Sequence, residues 1–274
     1  MTGVQTCALP ISGHLLRGYF SPRVTAAVTQ VERALARQTT RLVAVGEQVR
    51  NDLLQAGVGR AMQFTVVPPG ISVPAPPERR VARRMLGVDA DAEVVAFVAR
   101  LTAVKRPDRM LEAMQIVCET RPRAVVLVCG EGDLLHETVR LASGLGSRIR
   151  FLGWRSDVET VYGAADVALL TSDNEGTPVS LIEAGMCGIP AVSTGVGSVN
   201  EVVSHGETGF VTGMDATELA QAVSTLLDNQ ELRSSFSMTA RIKTEAAYGC
   251  SRLVTDMESV YEDVVQETQA LRRR

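Results

Sequence analysis

Short apolar runs rich in valine alternate with amphipathic stretches along most of this chain. Strand-like runs fall at 41–45, 94–99, 125–129, 149–152, 167–170, 191–194 and 210–212. Between them, helical periodicity predicts helices over 47–55, 107–119, 133–143, 157–164 and 178–187, with a last one in 251–274 carried by Leu253, Met257, Val260, Tyr261 and Val264. Such alternation predicts an α/β chain whose parallel sheet is covered on both faces. Ligands of open α/β sheets bind outside the carboxyl ends of the strands. The segment 178–187 stands out, because only Ser180 and Glu183 are polar in it. A helix apolar on nearly every side is buried. Glu183 lies one turn from Val179 and beside Ile182 and Met186, so its carboxylate is expected to point into packed surroundings, where an unpaired charge is costly.

Candidate chemistry gathers at the predicted strand ends. Upstream of the apolar helix lies Glu175, with Thr177 expected as the helix cap and Pro178 at the first helical position. A helix start favours an anion by roughly 0.3–1 kcal/mol. A buried glutamate that accepts two ribose hydroxyls needs no protein cation, each charge-assisted bond contributing about 1.5–3 kcal/mol. Glu175 is placed to hold hydroxyls of a sugar. The alternative is a capped core helix whose Glu183 pairs with a basic residue elsewhere. Arg100 closes one strand and Lys105 follows in the loop RLTAVKRP, a pair suited to a diphosphate and equally to an ordinary solvated loop. Gly130-Glu131-Gly132 forms a strand-to-helix turn that is at least as readily explained by structure as by a ligand. Trp154, the chain's only tryptophan, is followed by Arg155. It either stacks on a base or packs beside the sheet.

The segment 171–201 resembles the donor-site signature of retaining glycosyltransferases of family 4, which carry E-G-x-x-x-x-x-x-E-A, then G-x-P-V-V and G-G-x-x-E. The matching residues are Glu175, Gly176, Glu183, Ala184, Gly188, Pro190, Ala191, Val192, Gly197 and Glu201. Ser198 replaces the second glycine of the usual pair, and Thr177-Pro178 replaces the commoner Phe-Gly. Because proline has no N–H, backbone donors to a ligand must come from Thr177 or Val179.

The resemblance covers nearly everything after Ile11 and implies a GT-B fold: a Rossmann-like donor-binding domain with a parallel sheet, plus a remnant of the N-terminal Rossmann-like domain. It implies Arg100, Lys105 and Glu175 as the catalytic set. Donor contacts fall on these three and on Gly130, Trp154, Arg155, Gly176, Thr177, Pro178, Val179 and Glu183. The substrate is a nucleotide sugar, expected to be UDP-linked, and the acceptor a glycan or lipid; no cofactor and no metal are implied. Retention of configuration comes from the resemblance alone. Two other readings stay open: a fragment that binds donor without turnover, and a non-hydrolysing sugar-nucleotide 2-epimerase.

Residues 1–11 resemble an in-frame translation of a sequencing adapter and are set aside from the fold. Residues 12–66 then read as the remnant of the acceptor-side domain, 67–247 as the donor-binding domain, and 248–274 as a helix crossing back. The family's catalytic-side histidine aligns near Ser12, with His14 its neighbour, so this chain is expected to lack it. Composition narrows the rest. The chain has 274 residues, 45% of them hydrophobic, enough for one complete core and a smaller piece. Its net charge of -3 makes no electrostatic case for nucleic acid. Besides Cys7, Cys118, Cys129, Cys187 and Cys250 show no metal-ligand spacing and read as reduced thiols of a cytoplasmic protein. No run approaches the roughly 18 apolar residues of a spanning helix. The basic end, Arg272 to Arg274, reads first as a solvated chain end, with peripheral contact with an anionic membrane at its inner face as the alternative.

Overall fold

The computed structural model describes residues 22–272. The adapter-like segment, Ser12 and His14 lie outside the described residues, as do residues 273–274 and the side chain of Arg272. Helix α1 (Pro22–Gln38) leads into a two-stranded parallel sheet of β1 (Leu42–Ala44) and β2 (Phe64–Val66), connected through α2 (Glu47–Gln55). A proline-rich segment follows, then α3 (Arg79–Met85). The larger sheet contains β3 (Glu93–Val98), β4 (Ala124–Cys129), β5 (Ile149–Gly153), β6 (Val167–Leu170), β7 (Ala191–Thr194) and β8 (Gly209–Thr212). Its connections carry α4 (Pro107–Thr120), α5 (Leu135–Leu141), α6 (Val158–Ala164), α7 (Val179–Met186) and α8 (Val199–Val202). The chain then forms α9 (Ala216–Asp228), α10 (Gln230–Tyr248) and α11 (Cys250–Arg272).

All six strands run parallel in the order β5-β4-β3-β6-β7-β8. The chain steps outward from β3 to β5, crosses back to β6 beside β3, and steps outward on the other side. The connections after β3 and β6 therefore depart to opposite sides and leave a crevice at their carboxyl ends.

The predicted strands and helices appear within one or two residues of their expected bounds. The helix expected over 133–143 is the shorter α5, followed by a 3-10 segment (Ala142–Arg148) interrupted at Gly146, whose φ is 54°. Elements α1, β2, α3, α8, α9 and α10 were not among those predicted.

Alternate residues of β3 enter two cores, as strand geometry requires. Val95 and Phe97 pack with Met110 and Met114 of α4 and Leu219 and Val223 of α9. Val94 and Ala96 join Val161 and Tyr162 of α6 and Ala82 of α3. Helix α7 is apolar because it serves two clusters: Leu181, Ile182 and Met186 face one, and Ala184 the other. Its Gly185 lies under α10, where an added Cβ would come within 2.5 Å of Thr244 Cγ2. Cys118, Cys129 and Cys187 are buried free thiols, and Cys250 is an exposed one.

Helix α11 returns to the first sheet, where Glu267 pairs with Arg41. Of its expected stripe, Val260 and Val264 are buried while Tyr261 is exposed, so Tyr261 lies off the covered face. The physical reason is the helical period: positions 260 and 264 are one turn apart, and 261 is rotated by about 100° from 260.

One buried ion pair ties α3 to the sheet. Arg83 Nη2 donates to Asp166 Oδ2 at 2.9 Å, and Val94 N donates to the same oxygen at 2.8 Å. Arg83 Nε also donates to Ala164 O at 3.1 Å, and Arg79 pairs with Asp166 Oδ1. Burial pushes the Arg83 guanidinium below its ordinary pKa, Arg79 adds to the shift, and Asp166 opposes it. Removing Asp166 strands that cation in the interior. Asp166→Ala is expected to lower unfolding free energy by about 3–5 kcal/mol, read from urea unfolding midpoints; a loss below about 1 kcal/mol would contradict this account of Arg83.

Candidate active site

The loops after β3 and β6 are stitched to each other. Thr171 Oγ1 contacts the carbonyl oxygens of Lys105 and Arg106, both at 3.0 Å, and Asp173 N donates to Val104 O at 2.8 Å. Buried Arg109 on α4 donates to Thr171 O at 2.6 Å and to Asp173 Oδ1 at 2.7 Å. Arg106 takes the left-handed conformation, φ 50°, and Pro107 then opens α4. A non-glycine residue there costs about 1–2 kcal/mol. The fork from Arg106 to Asp108 and Asp173 holds the turn.

This stitching delivers Lys105 to Glu175. Lys105 Nζ lies 2.5 Å from Glu175 Oε1, and Ser172 Oγ donates to the same oxygen at 2.6 Å. Glu175 is only 7% exposed. With both donors on Oε1, no donor among the described residues reaches Oε2. The Glu175 backbone is pinned as well. Gly197, at φ 53°, approaches so closely that an added Cβ would fall 1.8 Å from Glu175 O, and Ser198 N donates to Gly176 O at 3.2 Å. Only glycine fits at 197. Ser198, which stands in place of the second glycine of the resembled pattern, is 1% exposed, and its hydroxyl has no partner among the described residues.

Arg100, at the end of β3, is exposed and makes no ion pair among the described residues. The neighbouring Gly130 has a packing reason: its φ is 136°, and an added Cβ would meet Ala99 O at 2.1 Å. A Cβ at Gly132 would meet Leu101 O at 2.3 Å. The glycine turn thus lies flat on the segment that carries Arg100. The two expected diphosphate cations therefore differ, since Lys105 is already engaged by a carboxylate and Arg100 stands open.

The expected cap of the apolar helix is corrected. Helix α7 starts at Val179, preceded by Pro178 at ψ 94°, with no side-chain cap. Because Pro178 itself occupies the cap position, Thr177 sits one residue too early, and its hydroxyl donates instead to Val45 O at 3.1 Å. The first amides of α7 have no partner within the helix. The helix is anchored through Ser180 O, which accepts from buried Tyr162 Oη at 2.7 Å.

Glu183 is half-buried, less enclosed than its sequence neighbours implied. No hydrogen bond or ion pair to its carboxylate occurs among the described residues, so the alternative of a basic partner does not hold there. Burial raises its pKa to about 7, with Glu159 adding to the shift. Its charge is felt at Cys129 and Tyr162, which places it toward the end of β4. Nearby, Trp154 is 72% exposed, so it does not pack on the sheet. Arg155 bonds Asp157 Oδ2 at 2.6 Å, and its Nε is buried without a partner.

Sequence reading missed Thr171, Ser172 and Arg109. Their signal was faint: two hydroxyl residues directly after an apolar strand, where nothing local distinguishes a loop from a support. Among the described residues, no three His, Cys, Asp or Glu side chains gather as a metal site, and no helix is long and apolar enough to cross a membrane.

A Rossmann-like parallel sheet with cations and carboxylates at its strand-order reversal matches the fold of the GT-B glycosyltransferases. Residues 78–243 match the family model described as glycosyl transferases group 1, and the chain belongs to that family. It is similar to a D-inositol 3-phosphate glycosyltransferase of Geodermatophilus obscurus, at 33% identity over 92% of this chain and 59% of that protein. It is also similar to the UDP-Gal:alpha-D-GlcNAc-diphosphoundecaprenol alpha-1,3-galactosyltransferase of Escherichia coli, at 24% identity over 97% of this chain and 71% of that one. Among solved structures, Anabaena HepE in complex with UDP superposes with a TM-score of 0.79 at 25% identity, covering 93% of this chain and 71% of that chain. Sucrose-phosphate synthase from Thermosynechococcus elongatus shares the fold, with a TM-score of 0.78 at 23% identity over 90% of this chain and 64% of that one. The chain spans 59% of the length of the Geodermatophilus relative and 56% of that of a Thermobispora bispora counterpart.

The raised pKa of Glu183 has a stability consequence. The folded state holds its proton to higher pH than the unfolded state, so this group's contribution falls as pH rises from the ordinary carboxylate range to about 7. The penalty above that range is on the order of 1–3 kcal/mol after discounting for partial solvent screening. Glu183→Gln is therefore expected to stabilise the protein more at pH ~8 than at pH ~5, measured by thermal unfolding at both. An equal effect at both pH values would contradict the assignment.

Proposed function

We propose that this chain is the donor-binding part of a retaining, nucleotide-sugar-dependent hexosyltransferase of family 4, acting on a glycan or lipid-linked acceptor. The observation that carries the reading is Glu183, a half-buried carboxyl with no cation of its own among the described residues, whose charge acts on Cys129 at the end of β4. Ribose hydroxyls would satisfy it. Arg100 and the two remaining N–H groups of Lys105 would face the diphosphate, and Glu175 Oε2 would accept a hexose hydroxyl. Backbone N–H groups of Thr177 and Val179 add partial positive charge, while Gly176, Pro178 and Gly130 keep the backbone low enough for a ligand to approach. The exposed ring of Trp154 and the Arg155 segment would meet the base. A UDP-linked donor is supported by HepE, solved with UDP, and by the E. coli relative, named for UDP-Gal. That relative's diphosphoundecaprenol substrate supports a lipid-linked acceptor.

In this reading the protein accelerates transfer by electrostatics. As the donor's glycosidic bond breaks, charge grows on the leaving diphosphate, and preorganised cations and helix amides stabilise it without reorganising. Cations and helix dipoles suffice for that charge, so neither a cofactor nor a metal is invoked.

Donor binding without turnover is the second reading, which the product assay below separates from transfer. No observation favours a 2-epimerase: His205 is engaged with the Val211 backbone, and His136 lies on the exposed side of α5.

Titration calorimetry with nucleoside diphosphates, run beside a product assay with labelled donor, tests the proposal. Arg100→Ala and Glu183→Gln are each expected to weaken UDP binding about tenfold or more, the loss of one charge-assisted contact, while the protein stays folded. Wild-type affinity for UDP should rise between pH ~6 and ~8, because ribose hydroxyls donate to the ionised form of Glu183. Binding without product supports the second reading, a C2-inverted free nucleotide sugar supports the epimerase, and no nucleotide binding at all defeats the proposal.

A further inference from the structure

Glu201 ends the donor-site pattern in the sequence, yet no role in donor contact falls to it. Its carboxylate reaches across to the first sheet, where Oε2 accepts from Glu47 N and Oε1 from Gln48 N, each at 3.0 Å. These are the first two amides of α2, whose own cap residue, Gly46, supplies no side chain. The cap therefore comes from 154 residues away. Both oxygens are used, one per amide, and the negative charge sits on the positive end of the helix dipole.

The approach is close. An added Cβ at Gly46 would lie 2.9 Å from Glu201 Oε2 and 2.9 Å from Ser198 Oγ, the buried hydroxyl that lacks a partner. The φ at Gly46 is −169°, ordinary extended backbone, so a methyl there would meet no backbone strain and would press only on the Glu201 carboxylate and the Ser198 hydroxyl. The same stretch of backbone is fastened again by Thr177 Oγ1, which donates to Val45 O at 3.1 Å. On the other side, Gly197 and Ser198 rest directly on the backbone of Glu175 and Gly176. Glu201 O accepts from buried Tyr248 Oη at 3.0 Å, and Tyr248 O accepts from Ile71 N at 2.7 Å, so the clamp is braced where the chain passes between its two sheets.

We propose that Glu201 is a positioning residue that clamps the Val45–Gly46 segment and α2 against the Gly176–Thr177 loop. In doing so it gives the sugar end of the donor cleft a fixed second wall. It touches no reacting atom in this proposal, and it rests on the nucleotide-sugar reading above for what the cleft holds.

Two variants attack the clamp from opposite sides. Glu201→Gln keeps the shape but loses the charge and one acceptor, and Gly46→Ala keeps the carboxylate but pushes it off its present seat. Amide hydrogen exchange at Glu47 and Gln48, which needs no ligand, should speed up about tenfold in both variants. Calorimetry should show affinity for UDP-glucose or UDP-galactose, whichever the wild-type protein binds more tightly, weakened about fivefold or more, with UDP alone changed less than about twofold. Unchanged exchange would overturn the clamp. Faster exchange with the UDP-sugar to UDP ratio preserved would reduce Glu201 to a helix cap and overturn its positioning role. Wild-type protein that binds no nucleotide overturns the positioning role together with the nucleotide-sugar reading, and the exchange measurement then separates that failure from failure of the clamp itself.

Discussion

The polar architecture of this protein depends on β3 and β6 lying side by side although β4 and β5 intervene in the chain. Their parallel pairing, Val95 with Val167 and Ala96 with Ala168, sends the two following loops past each other at one end of the sheet. Once there, the Thr171 hydroxyl sits between the carbonyls of Lys105 and Arg106, and Arg109 ties Thr171 to Asp173. Lys105 can then meet Glu175 in a place with little water. Moving β6 to any other position in the sheet would separate a cation and a carboxylate that are 70 residues apart in the chain.

The two glutamates at this end of the sheet are handled in opposite ways. Glu175 is buried but compensated, with an ammonium and a hydroxyl on one oxygen and its main chain fenced in by Gly197. Glu183 is less buried and uncompensated, and its pKa rises accordingly. The cost of burying charge falls steeply when partners are supplied, and the two carboxyls differ in that supply among the described residues. The Asp166 site shows the contrast: there a buried carboxylate is saturated by Arg83, Arg79 and a backbone amide, and it ties α3 to the sheet.

Several features were legible in the residues because their physics is local. Valine-rich runs of strand length located the six strands of the large sheet, since a strand covered on both faces admits few polar side chains. The near-absence of polar residues in α7 announced its burial. Glycines 130 and 197 were picked out by pattern, and the structure supplies the contact each avoids. The Thr177 cap failed for an equally local reason: proline adopted the cap conformation itself and released the threonine hydroxyl to Val45. Tyr261 was placed on the wrong side of α11 because one extra residue turns a side chain by about 100°.

Taken alone, the sequence determined that this is an α/β protein with a parallel sheet, and it pointed to the strand ends as the candidate site and to the cations and carboxylates available there. Each of these follows from burial and periodicity, which act over a few neighbouring residues. Only the tertiary structure decided which of those groups meet. It engaged Lys105 with Glu175 and left Arg100 open, it denied Glu183 a basic partner, and it laid Glu201 against a helix 154 residues earlier. Pairings of that kind are set by strand order and loop packing, and no local property of the chain encodes the distance between two side chains that only the fold brings together.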